Sequence, residues 1–288
     1  MQGRIKKWGA AATVLAAAAA IVVGSAGSSS AASTGLQAFG ITNNGKLMAS
    51  FTTDNPAVLG WVRAVQGLST DTSLIGIDFR VQDGKLYGVG NYGGIYTVSI
   101  PMPPATDVIV KKVSQLKVAL DGTTFGVDFN PAANRLRVVS DTGQNLRHNV
   151  DDGTTVADTP LSNAPGGPPV AGVSAAAYTN NDLNGDTATT LFDINTITGQ
   201  VVIQSPANTG LLAPTGSLGI SVGGNAGLDI YSDLSGGKTV SATAFATLTP
   251  STSGMATFYN VNLLTGSADF VGEFPLAISD VAVALDTN

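Results

Sequence analysis

Gly76-Ile77-Asp78-Phe79 recurs as Gly126-Val127-Asp128-Phe129, 50 residues later. The copy extends downstream: Leu86 and Val89 follow Asp78 at the distances at which Leu136 and Val139 follow Asp128. A self-similar unit of this length, built of short apolar runs and turns, cannot bury its own apolar face. It must stack on its neighbours.

The rest of the chain fits such a unit. Short apolar runs with β-branched or aromatic members alternate with Gly, Asn, Asp and Pro, which marks many short strands. Candidate strands lie at 36–42, 46–51, 59–65, 74–79, 85–89, 95–100, 108–113, 125–129, 135–140, 146–150 and 173–178. Further ones lie at 190–195, 201–204, 218–222, 228–231, 240–247, 257–262, 269–274 and 280–285. A second echo matches 190–199, ending Asn195-Thr196-Ile197-Thr198-Gly199, with 257–266, ending Asn262-Leu263-Leu264-Thr265-Gly266. Each reads as a strand, a tight turn with glycine at positive φ, and a return strand. Its spacing is 67, and the surplus over 50 is assigned to a long loop with an extra or extended strand at 233–254. Joined, the two echoes make a four-stranded antiparallel meander, the blade of an all-β β-propeller. Five blades are expected, with six as the alternative. They begin near Leu74, Phe125, Val173 and Leu218, and one is split between the termini. The C-terminal strand at 280–285 would join the N-terminal blade and close the ring without an edge.

Three segments carry a family likeness. They are Ala177-Tyr178-Thr179-Asn180-Asn181, Gly227-Leu228-Asp229-Ile230-Tyr231, and the run from Gly126-Val127-Asp128-Phe129-Asn130-Pro131 through Asn134-Arg135-Leu136-Arg137 to Asn145-Leu146-Arg147. Together they resemble a bacterial secreted family known as domain of unknown function 4394, from about Leu36 to Leu285. The resemblance implies a β-propeller and brings no activity, ligand or catalytic residue with it.

The N-terminus reads as a secretory signal peptide. Arg4, Lys6 and Lys7 precede an apolar run at 10–23, and small residues follow to Ala32. Cleavage after Ala32 leaves a single propeller domain at 33–288, secreted, extracellular and monomeric, with no membrane span. The run is shorter than the roughly 20 residues that cross a bilayer. With no cysteine, disulfides, thiolate chemistry and a lipidated anchor are excluded. The mature chain would carry eleven Lys and Arg against twenty Asp and Glu, a net charge of −9. That acidity argues against nucleic acid and anionic membranes as partners.

Few residues offer chemistry. Asp182, Asn184 and Asp186 alternate as oxygen donors along a flexible loop, as in calcium loops, although Gly185 and the missing glutamate depart from the EF-hand. The competing reading is a solvated turn. Asp78 and Asp128 could line a channel as an acidic ring, or accept hydrogen bonds from amides of the neighbouring turn. Their recurrence favours the second role. His148 is the only histidine and is placed on a surface strand, next to a hairpin turn at Asp151-Asp152. Arg135 and Arg137 share a strand face and are expected to pair with Asp141, Asp151 or Asp152. Tyr87, Tyr92 and Tyr96 could form a small aromatic patch. No phosphate-loop, nucleophile-elbow or zinc-protease motif is present.

The reading is therefore a binding or scaffold module for an extracellular ligand or protein, with no cofactor required and calcium optional. The alternative is a metal-dependent hydrolase or lactonase using Asp78, Asp128, Asp229 and Asp280 at the channel. A structural role in the cell envelope is the third reading.

Overall fold

A computed structural model describes residues 35–42, 44–101 and 106–288. The expected signal peptide and its cleavage point at Ala32 lie outside the described residues. No helix among the described residues is long and apolar enough to cross a membrane.

The chain is all-β, in antiparallel four-strand meanders of a propeller-like kind. The first meander contains β1 (Gln37–Thr42), β2 (Leu47–Thr52) and β3 (Trp61–Gln66), and the second β4 (Leu74–Arg80), β5 (Lys85–Gly90), β6 (Gly94–Ser99) and β7 (Val108–Gln115). The third runs through β8 (Phe125–Asn130), β9 (Arg135–Ser140), β10 (Asn145–His148) and β11 (Thr155–Ala157). The fourth is β12 (Val173–Tyr178), β13 (Leu191–Asn195), β14 (Gln200–Gln204) and β15 (Leu212–Ser217). The last is β16 (Val222–Ser235), β17 (Lys238–Pro250), β18 (Thr257–Val261) and β19 (Ala268–Glu273), followed by β20 (Ile278–Val283). β20 pairs with β1, from Ala38 opposite Val283 to Thr42 opposite Ile278. The first two meanders merge into one eight-stranded sheet, because β3 and β7 pair in parallel through Val65–Val108 and Gln66–Ile109.

The innermost strand is the leading one from the second meander to the last, and β20 beside the first. β4 packs on β8, β8 on β12, β12 on β16, β16 on β20, and β20 on β4. Close approach explains the glycine of the Gly-x-Asp motif. A Cβ at Gly126 would lie 2.5 Å from the Ala176 amide nitrogen, and one at Gly76 would lie 2.4 Å from the Val127 side chain. Away from this axis the sheets pack face to face. Phe51, Phe258 and Phe274 meet edge to face with centroids 4.9–5.6 Å apart, and Phe245 stacks on Phe258. Each such ring contributes roughly 1.5–3 kcal/mol by leaving water.

Three expectations change. The stretch at 233–254 holds the expected extended strand but not the long loop: β16 and β17 extend into a long hairpin that turns at Gly236-Gly237, both at positive φ. The second echo does not mark equivalent places. The hairpin β13–β14 is the second and third strand of its sheet, whereas β18–β19 is the third and fourth. The spacing of 67 is thus a shift by one strand. The resemblance is local turn chemistry: Asn195 Oδ1 accepts from the Ile197 and Thr198 amides, and Asn262 Oδ1 from those of Leu264 and Thr265. Gly199 and Gly266 then close the turns at φ 62° and 76°. Finally, β11 and β15 are strands that composition does not announce.

Candidate functional site

Two places collect polar groups: the axis between the innermost strands, and a cleft between the fourth and last meanders.

At the axis, Asp78, Asp128 and Asp229 project from β4, β8 and β16. One oxygen from each lies within 4.8 Å of the others. All three are buried. Their partners are mostly backbone amides of the next innermost strand. Asp78 Oδ2 accepts from Phe129 N at 2.7 Å, Asp128 Oδ1 from Tyr178 N at 3.0 Å and Asp229 Oδ2 from Val283 N at 2.5 Å. Asp78 and Asp229 also accept from their own following amides, at 2.6 Å each. The donor is each time the residue after the equivalent position, which places Ala177 of β12 and Ala282 of β20 where the other strands carry aspartate. Asp280 stands two residues before Ala282 and so belongs to the adjacent layer. There it accepts from Ile77 N at 2.8 Å, among Gly76 and Gly227.

The aspartates therefore lace strand to strand. The expected donors were amides of a neighbouring turn; they are amides of a neighbouring strand. Burial pushes the carboxyls of Asp78, Asp128 and Asp280 well above their usual range, and neighbouring carboxylates reinforce this. Asp229 is raised to about 6, burial outweighing the two amides that favour its charged form. The triad's spacing would suit a cation. However, both oxygens of Asp78 and of Asp229 already accept backbone hydrogen bonds, and all three side chains are buried. This arrangement does not favour a hydrolytic centre.

The remaining sequence candidates scatter. Asp182 is buried and ties two segments together: Oδ1 accepts from Asn184 N, and Oδ2 from the Thr239 amide and hydroxyl at the start of β17. Asn184 Oδ1 accepts from Asp186 N. His148 is buried, not on the surface. Its Nε2 lies 2.8 Å from Ser114 Oγ and its Nδ1 2.9 Å from Thr155 Oγ1, because β7 covers the face of β10. Burial pushes its imidazole below the usual range. Arg137 is buried and pairs with Asp158 at 2.8 Å, not with Asp141, Asp151 or Asp152. Arg135 instead donates to the Ala133 and Asn134 carbonyls. It is Arg80 that clasps Asp151, at 2.6 Å. Tyr87 and Tyr96 are buried and Tyr92 is exposed, so the three make no patch.

The cleft was not foreseen. It has a volume of about 550 Å³. One wall is apolar, from Val240, Ala242 and Ala244 of β17 with Val261 and Leu263 at β18. The other is the β12–β13 connection, with Thr179, Asn180, Asp186, Thr187 and Thr190. Thr239, Ser241, Thr243, Asn260 and Asn262 interleave with the apolar residues of the first wall, and Ala188, Lys238 and Asp269 complete the lining. The sequence places an apolar wall here because alternate residues of β17 continue the core cluster that holds Ala244, Ala246, Tyr259 and Val261. The opposite wall is a connection rich in Thr, Asn and Asp, and the outer part of the apolar face, at Val240 and Ala242, stays uncovered. Thr187 Oγ1 is buried and has no hydrogen-bond partner among the described residues.

The family described as Domain of unknown function (DUF4394) matches residues 47–283. The chain belongs to this family. A comparison with curated proteins finds no match. Among solved structures, this family member is similar to the glutaminyl cyclase of Myxococcus xanthus, at 13% identity over 74% of this chain and 90% of that one, TM-score 0.43. It is also similar to a chain of a nidogen/laminin complex, at 9% identity over 87% and 99%, TM-score 0.47. A third is the WD40 domain of Toxoplasma gondii coronin, at 14% identity over 82% and 55%, TM-score 0.39.

Proposed function

We propose that this DUF4394 protein is an exported, monomeric binding module: a ring of five four-stranded blades that holds a small molecule in the cleft between its last two. The five-fold reading is supported by the cycle of contacts among β4, β8, β12, β16 and β20, and by the pairing of β20 with β1. Export is supported by Arg4, Lys6 and Lys7 ahead of an apolar run. It predicts that the protein recovered outside the cell begins at Ser33; an N-terminus retained at Met1, read by mass, contradicts it.

The observation that carries the binding reading is the cleft itself. About 550 Å³ falls in the range of small-molecule sites, roughly 300–1,000 Å³, and such sites combine apolar walls with a few convergent polar groups. A metal-dependent hydrolase at the axis is the weaker reading, because the axial carboxylates are spent on strand-to-strand hydrogen bonds.

Titration with n-octanol, read by methyl NMR, tests the proposal. Shifts centred on Val240, Val261 and Leu263 that disappear in Ala242→Trp are expected. Shifts spread elsewhere, or unaltered by that substitution, reject it.

A further inference from the structure

The two walls of the cleft come from segments far apart in the chain, and one carboxylate outside the lining fastens them together. The β12–β13 connection closes on itself at its stem. There the Thr190 amide donates to Thr179 Oγ1, the Thr189 hydroxyl to the Thr179 carbonyl, and the Asn180 side chain to the Ala188 carbonyl. Beyond that stem, the connection is hydrogen-bonded to the β16–β17 hairpin through Asn181 and Asp182 alone, among the described residues. Asn181 reaches β16: its amide donates to Ser232 Oγ at 2.9 Å and its side chain to the Ile230 carbonyl at 3.3 Å. Asp182 reaches β17, the strand that carries the apolar wall. Its Oδ2 accepts from the Thr239 amide at 2.9 Å and the Thr239 hydroxyl at 2.7 Å, while Oδ1 accepts from Asn184 N at 2.9 Å. Asn180, Asp186 and Thr239 line the cleft, whereas Asp182 lies behind it, 5% exposed.

We propose that Asp182 is the clasp that fixes the spacing of the two walls, a positioning residue that acts on the ligand through Thr239. This rests on the cleft being a binding site. A carboxylate only accepts, and here it takes three donors on two oxygens. Burial shields these bonds from competing water. An asparagine of the same shape has one acceptor oxygen and would turn its NH₂ group toward N–H or O–H donors. Without the clasp the connection keeps its tie to β16 and loses its tie to β17. A ligand must then order the walls as it binds, which weakens binding mainly by speeding release.

Titration with n-octanol of wild type, Asp182→Asn, Thr239→Val and the double variant tests the clasp, with melting curves to check folding. Asp182→Asn is expected to bind octanol about tenfold more weakly, and Thr239→Val more weakly by a smaller factor. The double variant should be no weaker than Asp182→Asn, because both substitutions break one contact. Without ligand, hydrogen exchange at the Thr239 amide should quicken in Asp182→Asn, while amides of β12 and β13 keep their protection. Unchanged octanol affinity in a folded Asp182→Asn overturns this inference and leaves the cleft as a site. Losses that add in the double variant do the same. Should Asp182→Asn fail to fold, Thr239→Val decides alone, and wild-type affinity there overturns the clasp. Octanol that does not reach the cleft of the wild-type protein overturns the binding reading and the clasp with it.

Discussion

The protein is expected to melt at a higher temperature at pH 5 than at pH 8. Asp78, Asp128, Asp229 and Asp280 all have folded-state carboxyls raised above the unfolded value of 3.8. A raised carboxyl binds its proton more tightly in the folded state. Stability is then lost as pH climbs from the unfolded value through the folded one. For Asp229, raised to about 6, the window is pH 3.8 to about 6. The part of it between pH 5 and about 6 costs about 1.4 kcal/mol at 1.36 kcal/mol per unit. That corresponds to a fall in Tm of about 3 °C or more for a chain of this size, to which the other three carboxyls add in the same direction. The acid side is bounded by groups shifted the other way. Arg80 holds the Asp151 carboxyl below its usual range, so that contribution disappears as pH falls through its folded value. The variant Asp128→Asn sharpens the test. Its amide oxygen can still accept from Tyr178 N, while its NH₂ group offers donors to Asp78 and Asp229 in place of a third buried charge. Asp128→Asn should raise Tm at pH 8 and shrink the difference between pH 5 and pH 8. A Tm that climbs from pH 5 to pH 8, or a variant indistinguishable from wild type at pH 8, contradicts this account of the axis.

Replacing Arg137 with methionine should cost about 3–5 kcal/mol of unfolding free energy, the range for breaking a buried ion pair from one side. Its guanidinium, 1% exposed, donates to Tyr178 Oη, Asn145 Oδ1, Asp158 Oδ2 and Asn208 Oδ1. These partners come from four separate segments, so one side chain joins the third meander to the fourth. Asp158 would keep Arg147, at 2.6 Å, but the two asparagine oxygens would lose their charged donor. The neighbouring Asp193 would suffer as well. Its oxygens are buried with no hydrogen-bond partner among the described residues, burial holds its carboxyl well above the usual range, and Arg137 is the charge that opposes this. Arg137→Lys should recover little, because a point charge cannot reach four acceptors from one fork. Urea unfolding measures both. A loss under about 1 kcal/mol for Arg137→Met would place the interaction among exposed ion pairs and contradict the role given to it.

The repeat was legible because it is a steric rule. Gly76 and Gly126 are needed wherever innermost strands touch, and Asp78 and Asp128 wherever one strand must hold the next, so the pair recurs with the fold. Exposure was not legible, and the reason is the same packing. Strand alternation tells solvent from core only when one face of a sheet meets water. Here the faces of the inner strands meet neighbouring sheets. His148 and Arg137 therefore look like surface residues in sequence and are buried in the fold. The Asn-x-x-Thr-Gly hairpins misled for a different reason: turn chemistry is set by five local residues and carries no information about which strand of a sheet it ends. The cleft escaped notice because its walls are some 50 residues apart in the chain. Asp186 reads in sequence as an oxygen donor of its loop; its place opposite Val240 depends on the long β16–β17 hairpin, whose full extent the composition of 233–254 does not show.

A crystal soaked with n-octanol tests the binding reading most directly. The account predicts density for the molecule in the cleft, its chain against Val240, Ala242 and Leu263. A cleft left to ordered water at saturating octanol, or density only at other surfaces, would contradict it.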